Sequence, residues 1–186
     1  MGNVASKIRI LVIDDDSVIR EQFCMVLQRE GYEVFESGSG TDGLGVFNER
    51  HPQLVLLDVQ LTDMDGREVC QMIKADPAQR ETAVILISGE FTSGPDKALG
   101  LEGGADDFIV KPVTSVELLA RVKTILRLRQ ATEALRASEQ YYRRLLEILP
   151  DAVLLITPMG QVLHGNPQAI ASAGGWAKVS SSDGPT

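Results

Sequence analysis

Charged and hydroxyl side chains follow directly after several apolar runs in this chain. Residues 10–18 read ILVIDDDSV, so four apolar residues lead into three aspartates. Three later apolar runs lead into a lone aspartate, a serine and a lysine. The polar residues at these run ends are Asp14, Asp15, Asp16, Asp58, Ser88 and Lys111.

This set of side chains indicates phosphoryl-transfer chemistry. Carboxylates with no histidine or cysteine beside them suit Mg²⁺, a hard cation that takes oxygen ligands and engages phosphate groups. A lysine pairs with a carboxylate or with a phosphoryl oxygen. Asp58 stands alone at the end of its run, which makes it the natural nucleophile for an aspartyl phosphate. The metal and Lys111 would offset the charge that develops during transfer.

The elements that position these residues are predicted from hydrophobic periodicity. Short apolar runs predict strands at KIRILVI, YEVFES, LVLLD, AVILIS and DFIV. Helical spacing predicts helices at SVIREQFCMVLQRE, TDGLGVFNER, DGREVCQMIKA, GPDKALGLEGG and TSVELLARVKTILRLR. Five strands alternating with five helices predict an α/β fold with a parallel, doubly wound sheet that is covered on both faces.

Ligands of such sheets bind at the carboxyl ends of the strands. The first strand ends at residues 14–16, the third at Asp58, the fourth at Ser88 and the fifth at Lys111. We therefore expect these side chains to meet at one edge of the sheet.

Some of the acidic residues have a structural alternative. Asp16 or Ser17 is in position to cap the first helix. Asp106 and Asp107 are expected in the turn before the fifth strand. The metal site would then consist of the three aspartates that remain at the strand ends, Asp14, Asp15 and Asp58.

Four segments together resemble the receiver domain of two-component response regulators. ILVIDDDSVIR, LVLLDVQLTDMDG, VILISGE and GADDFIVKP occur in the family's order and spacing, and the resemblance covers about residues 7–125. It implies a flavodoxin-like sheet and assigns a role to each strand end. Asp58 would be the phosphorylated aspartate, Asp14 and Asp15 the metal-binding pair, Ser88 the switch hydroxyl and Lys111 the invariant lysine.

The resemblance also implies roles for neighbouring residues. The Lys111–Pro112 peptide bond should be cis, and the backbone carbonyl of Gln60 should complete the metal shell around Asp58. Phe108 stands where the family has its rotating aromatic residue, although plain core packing is the alternative for an aromatic in an apolar strand. The side chains of Gln60 and Glu90 occupy the positions that tune the dephosphorylation rate.

The function that the resemblance implies is a cytoplasmic signalling switch rather than an enzyme. A histidine kinase or a phosphotransfer protein would pass phosphate to Asp58 with Mg²⁺ as cofactor, and the domain would catalyse its own phosphorylation and dephosphorylation. The formal net charge of −8 with no long basic run argues against direct nucleic-acid binding. No apolar run approaches the ~20 residues of a membrane span.

Two other functions remain open at this stage. Asp14, Asp16 and Val18 resemble the signature of haloacid-dehalogenase-type phosphatases, in which Asp14 would be the nucleophile and Asp16 the general acid. Asp106 and Asp107 would then supply the last acidic motif, but Lys111 follows that pair whereas the family's lysine precedes it. A flavodoxin-like cofactor binder would need a phosphate loop rich in Gly, Ser and Thr after the first strand, where this chain has aspartates.

The helical pattern continues far beyond the last receiver helix. Leu128, Leu135, Tyr142 and Leu149 recur every seven residues, which is typical of a coiled coil. We predict a helical linker over residues 126–149 and a homodimer formed through the helix at 118–149. A single amphipathic helix packed on the receiver is the alternative.

Residues 138–173 resemble the opening of a PAS sensory domain. LPDAVLLIT and VLHGN flank the turn PMGQ and predict a hairpin, and Asn166–Pro167 follows it. We assign residues 150–173 to a partial PAS-like segment and residues 174–186 to a disordered tail. A receiver joined to PAS would relay its signal to a C-terminal sensory or output module and suggests a piece of a larger hybrid kinase or cyclic-dinucleotide regulator.

Overall fold

A computed structural model describes residues 7–76, 81–89 and 104–172. The chain divides between Arg129 and Gln130 into two compact units. The strands of the first unit are β1 (Arg9–Ile13), β2 (Glu33–Ser37), β3 (Leu54–Asp58), β4 (Ala83–Ser88) and β5 (Asp107–Val110). Its described helices are α1 (Ser17–Arg29), α2 (Gly40–Arg50), α3 (Gly66–Ala75) and the first part of α4 (Ser115–Ile148).

The strands of the first unit form one parallel sheet in the order β2-β1-β3-β4-β5. This confirms the predicted α/β fold with its doubly wound sheet. The bounds of β3, β4 and β5 agree with the sequence, whereas β1 begins at Arg9 rather than at Lys7. The helix predicted at residues 94–104 lies almost wholly outside the described residues.

Both faces of the sheet are buried, which explains why its central strands are apolar without interruption. In β1, Ile10 and Val12 pack in one core layer with residues of α1 and α4. Leu11 and Ile13 point the other way and pack with residues of α2 and α3. The frame that holds the strand ends is therefore a two-layered core with the sheet between its layers.

Asp16 caps α1, as the sequence predicted. Its carboxylate accepts hydrogen bonds from the backbone N–H groups of Val18 at 2.9 Å and Ile19 at 3.2 Å. These N–H groups have no partner within the helix, so the carboxylate satisfies them and favours the helix dipole. The third aspartate of the cluster thus has a structural role.

Asp106 and Asp107 have different surroundings. Asp106 lies in the predicted turn, and its carboxylate accepts hydrogen bonds from Lys74 at 2.6 Å and from the Val84 backbone at 2.8 Å. Asp107 was predicted both in this turn and as the start of the strand DFIV; the turn placement was wrong, because Asp107 is the first residue of β5, where its carboxylate pairs with Arg121 at 3.2 Å. Both residues lie at the amino end of β5.

The second unit contains the rest of α4, the antiparallel hairpin of β6 (Leu154–Ile156) and β7 (Val162–Gly165), and the short helix α5 (Pro167–Ser172). The predicted C-terminal helix and hairpin are both present, but the first hairpin strand is shorter than predicted. Residues 149–153 instead form an irregular turn with bends at Pro150 and Asp151. The helix α4 ends at Ile148 before this turn, because Pro150 disfavours helix at the residue that precedes it. In the part of the chain that the structure describes, no helix is both long and apolar enough to cross a membrane.

Buried Asn166 holds this turn and the hairpin together. Its side-chain oxygen accepts hydrogen bonds from the N–H groups of Val153 at 2.9 Å and Ala169 at 3.0 Å. Its amide nitrogen donates to the carbonyl oxygens of Leu146 at 3.2 Å and Asp151 at 2.8 Å. One side chain therefore joins the end of α4, the turn and the start of α5.

Alanine substitutions at Gly43 and Gly45, the two glycines in the interior of α2, should have opposite effects on stability. A Cβ at residue 43 would lie 2.5 Å from Ile13 Cδ1, so Gly43→Ala should lower the free energy of unfolding by about 1–3 kcal/mol. A Cβ at residue 45 would meet nothing within 4 Å, so Gly45→Ala should raise it by roughly 0.5–1 kcal/mol. Urea unfolding measures both, and a stabilising Gly43→Ala would contradict the packing of α2 on β1.

Candidate functional site

Three carboxylates meet at the carboxyl end of the sheet. β1 and β3 are neighbours, with Ile13 opposite Leu57, so the residues that follow them emerge side by side. One carboxylate oxygen from each of Asp14, Asp15 and Asp58 lies within 4.8 Å of the others. Asp14 and Asp58 are only 2 % and 5 % exposed, so their charges are largely removed from water.

Lys111 enters this group from the end of β5. Its Nζ lies 3.0 Å from Asp14 Oδ2 and 3.1 Å from Asp58 Oδ1. Its backbone N–H donates to the carbonyl oxygen of Ser88 at 2.7 Å, which attaches the end of β5 to the end of β4. The peptide bond between Lys111 and Pro112 is cis, as the resemblance implied.

Asp14 is held by main-chain contacts on three sides. Its Oδ1 accepts a hydrogen bond from the Asp16 N–H at 2.9 Å, and its own N–H donates to the Ser37 carbonyl at 3.2 Å. Its carbonyl accepts a hydrogen bond from Arg20 Nη1 at 2.7 Å. The sequence did not indicate Arg20, because it lies in α1 among ordinary helix residues. Its ion-pair partner Glu36 is close in space but distant in the sequence.

Burial and charge act against each other at Asp58. Burial is the largest influence and raises the pKa of its carboxyl group, while the charge of Lys111 lowers it and the charge of Asp14 raises it further. Burial also disfavours the charged form of Lys111. The hydrogen bond with Asp14 and the charge of Asp58 outweigh that burial and raise the pKa of the lysine.

The site fits a divalent cation. Three carboxylates face a single ammonium group, so negative charge exceeds positive charge within the group. Asp58 Oδ1 is buried, and the partner that the described residues give it is the ammonium of Lys111 at 3.1 Å. Oxygen donors of this kind suit Mg²⁺, and Asp14, Asp15 and Asp58 are the side chains that would hold it.

The remaining predicted site residues lie around this group. Ser88 is 4 % exposed and ends β4, one strand away from Asp58. Gln60 is in the exposed loop after β3 and forms a bridge with Asp65. Phe108 is half-buried in β5 and packs against the core layer of α2 and α3. Glu90 lies outside the described residues.

The dehalogenase-type arrangement is not assembled in the described residues. It would need Asp16 beside the nucleophile Asp14, but the carboxylate of Asp16 caps α1. It would also need an acidic pair at the same edge of the sheet, but Asp106 and Asp107 lie at the opposite end of β5 from Lys111.

Comparison with known proteins identifies the first unit. The model of the response regulator receiver domain family matches residues 10–123. The DNA-binding response regulator MtrA of Mycobacterium tuberculosis is 42 % identical over 119 residues, which are 64 % of this chain and 50 % of MtrA. A transcriptional regulatory protein of Picosynechococcus is 39 % identical over 136 residues, which are 69 % of this chain and 53 % of that protein. The chain thus spans about half the length of these curated relatives.

Solved structures give the same picture. A CheY-like receiver domain protein from Methanospirillum hungatei is 31 % identical, with a TM-score of 0.64 over 68 % of this chain and 99 % of that one. The BeF3-activated DrrB receiver domain is 37 % identical, with a TM-score of 0.59 over 65 % of this chain and 98 % of that one. The receiver domain of a histidine kinase from Syntrophus aciditrophicus is 32 % identical, with a TM-score of 0.59 over 64 % and 89 % of the two chains.

Asp58→Asn should stabilise the metal-free protein. The pKa of Asp58 is raised in the folded state, so its ionised carboxylate destabilises the fold above the unfolded pKa of about 3.9. In EDTA at neutral pH the variant should gain on the order of 1 kcal/mol in free energy of unfolding. The gain should shrink as the pH falls toward that unfolded pKa.

Glu21→Gln is the matched control, because Glu21 is exposed on α1 and loses the same charge. It should change the free energy of unfolding by less than about 0.5 kcal/mol. A destabilised Asp58→Asn in EDTA would show that Lys111 already compensates the three carboxylates.

Proposed function

The chain belongs to the response regulator receiver domain family, and we propose that Asp58 is its phosphoacceptor in two-component signalling. The observation that carries the proposal is the position of Asp58, whose buried Oδ1 lies 3.1 Å from Lys111 and beside two further carboxylates. A nucleophile, an ammonium group and a set of metal ligands are thereby grouped at the carboxyl end of a parallel sheet.

The transfer step moves one phosphoryl group between two nucleophiles. A carboxylate oxygen of Asp58 attacks the phosphorus of a phosphohistidine on a histidine kinase or phosphotransfer protein. The new O–P bond forms as the P–N bond breaks, and the imidazole nitrogen retains the electron pair. Hydrolysis reverses the modification, because water attacks the same phosphorus and the Asp58 carboxylate leaves with the electrons of the O–P bond.

The surrounding residues have complementary roles in this proposal. Asp14, Asp15 and Asp58, with the backbone carbonyl of Gln60, would hold Mg²⁺. Bound there, Mg²⁺ would offset negative charge on the transferring phosphoryl oxygens. Lys111 would pair with a phosphoryl oxygen in place of Asp58 Oδ1.

The protein would act as a switch in the cytoplasm rather than as an enzyme with turnover. Once Asp58 carries phosphate, the hydroxyl of Ser88 and the ammonium of Lys111 would bind its oxygens and draw the ends of β4 and β5 inward. Such a change shifts a population of two states only if the new contacts differ between them. Phe108 in β5 would report the shift, and Gln60 and Glu90 would set the rate of dephosphorylation.

We further propose that α4 passes this shift to the partial PAS-like segment at residues 150–173. The relatives named DNA-binding response regulators match this chain over about half their length. DNA binding by an output domain, as their name states for them, is therefore only an alternative proposal for this chain. In the described residues from 130 onward, the chain forms a helix, a two-stranded hairpin and a short helix. A hybrid kinase or a cyclic-dinucleotide regulator that contains a receiver domain fits this arrangement.

The phosphoacceptor is tested by labelling with a small phosphodonor such as acetyl phosphate. The wild-type chain should incorporate label only with Mg²⁺, and mass spectrometry should place it on the peptide that contains Asp58. Asp58→Asn should lose at least about 100-fold in labelling, because it removes the nucleophile. Label that persists in Asp58→Asn would refute the assignment.

Asp14→Asn separates this function from dehalogenase-type catalysis. If Asp14 is a metal ligand, the variant should bind Mg²⁺ more weakly by roughly tenfold or more but still accept label on Asp58 at high Mg²⁺. If Asp14 is the nucleophile, labelling should disappear at any Mg²⁺ concentration while Asp58→Asn retains it.

We propose a second copy of this chain as the partner of the exposed part of α4. Residues 130–145 are exposed throughout, including Leu135 and Tyr142 at 61 % and 63 %. Most helical stability in proteins comes from packing of an apolar face, and the exposed apolar residues of this helix repeat every seven positions. A parallel coiled coil would bury that stripe and join two receivers.

Leu135→Lys should weaken the dimer at least tenfold, because it places a charge in the heptad seam. Ala137→Lys adds the same charge on the opposite face of the helix and should leave the dimerisation constant unchanged. Analytical ultracentrifugation over a concentration series measures both. A wild-type chain that stays monomeric throughout the series would rule out the dimer and favour the single amphipathic helix.

A further inference from the structure

Asp63 binds the amino end of α2 from a distant part of the chain. Its carboxylate accepts hydrogen bonds from the N–H groups of Gly40 and Thr41, both at 2.9 Å, and from the Thr41 hydroxyl at 2.8 Å. These three contacts hold the pKa of the Asp63 carboxyl group down at about 2. The donors lie 23 and 22 positions earlier in the chain, so the contact is not one of local turn geometry.

The helix does not need Asp63 for its own first cap. Ser39 already occupies that position, and its hydroxyl accepts a hydrogen bond from the Asp42 N–H at 3.2 Å. Asp63 takes the two N–H groups that Ser39 leaves, at the positive end of the helix dipole. The contact therefore joins α2 to the loop that follows β3.

That loop, residues 59–65, begins directly after Asp58 and carries the Gln60 carbonyl. Its two ends are closed on each other, because the Gly66 N–H donates to the Val59 carbonyl at 2.9 Å and Gln60 forms a bridge with Asp65. Its tip extends away from this closed neck. In the described residues, Asp63 provides the tip's hydrogen bonds to α2.

Packing supports the same attachment. A Cβ on Gly40 would lie 2.6 Å from Met64 Cγ, so the loop side chain sits directly against the helix backbone. The amino end of α2 is itself tied to the end of β2, because the Ser37 hydroxyl donates to the Ser39 carbonyl at 2.9 Å. Ser37 in turn accepts the Asp14 N–H. A chain of hydrogen bonds thus connects the loop, through α2 and the end of β2, to the strand end that carries Asp14.

We propose that Asp63 is a positioning residue for the metal centre: by anchoring the loop tip to α2 it fixes the Gln60 carbonyl relative to Asp14 and Asp58. The proposal rests on the proposed function, since it presumes that Mg²⁺ binds this group of oxygens. Asp63 touches neither the carboxylates nor the phosphoryl group. It acts through the backbone between residues 58 and 63, as residues that orient metal ligands commonly do.

The test measures Mg²⁺ affinity and stability separately on the full chain. Isothermal titration with Mg²⁺ alone gives the dissociation constant, and urea unfolding in EDTA gives the free energy of unfolding. Asp63→Ala should raise the dissociation constant roughly tenfold. Thr41→Val removes one of the three donors and should raise it by a smaller factor. Asp42→Ala removes an exposed carboxylate from the same helical turn and should leave it unchanged.

The two readouts separate positioning from simple capping. An Asp63→Ala protein that is less stable but binds Mg²⁺ with the wild-type dissociation constant would overturn the proposal. An equal loss in Asp42→Ala would also overturn it, because the effect would then be one of net charge near the site. A wild-type chain that binds no Mg²⁺, or an Asp58→Asn variant that binds it equally well, refutes the metal centre itself and is recognisable as that different failure.

Discussion

The crowding of three carboxylates around one lysine is the constraint on which the rest of the structure depends. Two unit charges about 4 Å apart repel by roughly 4 kcal/mol at the effective dielectric near a protein surface. Asp14 and Asp58 are buried, so water screens them poorly. Lys111 contacts both and offsets part of this repulsion, yet negative charge remains in excess. The fold must hold these groups together against their mutual repulsion, which a bound cation would relieve.

The parallel sheet supplies the rigidity for this. β1, β3 and β4 are buried on both faces, and their side chains fix the strand ends through two separate core layers. Lys111 must reach across β4 to contact Asp58, and the hydrogen bond from its N–H to the Ser88 carbonyl sets where its side chain starts. The apolar residues of the two core layers thus determine where the charged side chains of the site lie.

The sequence predicted most of this site because its signals are local. A buried strand and the polar residue that ends it are adjacent in the chain, so Asp14, Asp58, Ser88 and Lys111 could each be placed at the carboxyl end of a predicted strand. The same holds for Asp16, whose cap depends on the N–H groups of Val18 and Ile19.

Contacts between remote segments could not be predicted in this way. Asp63 accepts hydrogen bonds from residues 22 and 23 positions earlier in the chain. Arg20 donates to the Asp14 carbonyl, and the sequence of α1 does not indicate this contact. Asp107 was predicted both as the first residue of the fifth strand and as part of the turn before it, because adjacent aspartates are typical of turns, and its partner Arg121 lies far away in the sequence on α4. Each miss reflects a partner that only the tertiary fold brings near.

A site with surplus negative charge is well suited to a reversible modification. If Asp58 accepts phosphate as proposed, the modification adds negative charge where the chain already has too much, so the phosphorylated state requires positive charge and hydrogen-bond donors to move closer. Lys111 and Ser88 are the residues at the strand ends that can supply these, and their strands are paired with each other. The repulsion within the unmodified site and the movement of Lys111 and Ser88 toward the phosphate would then have the same cause, which is the excess of negative charge at the strand ends.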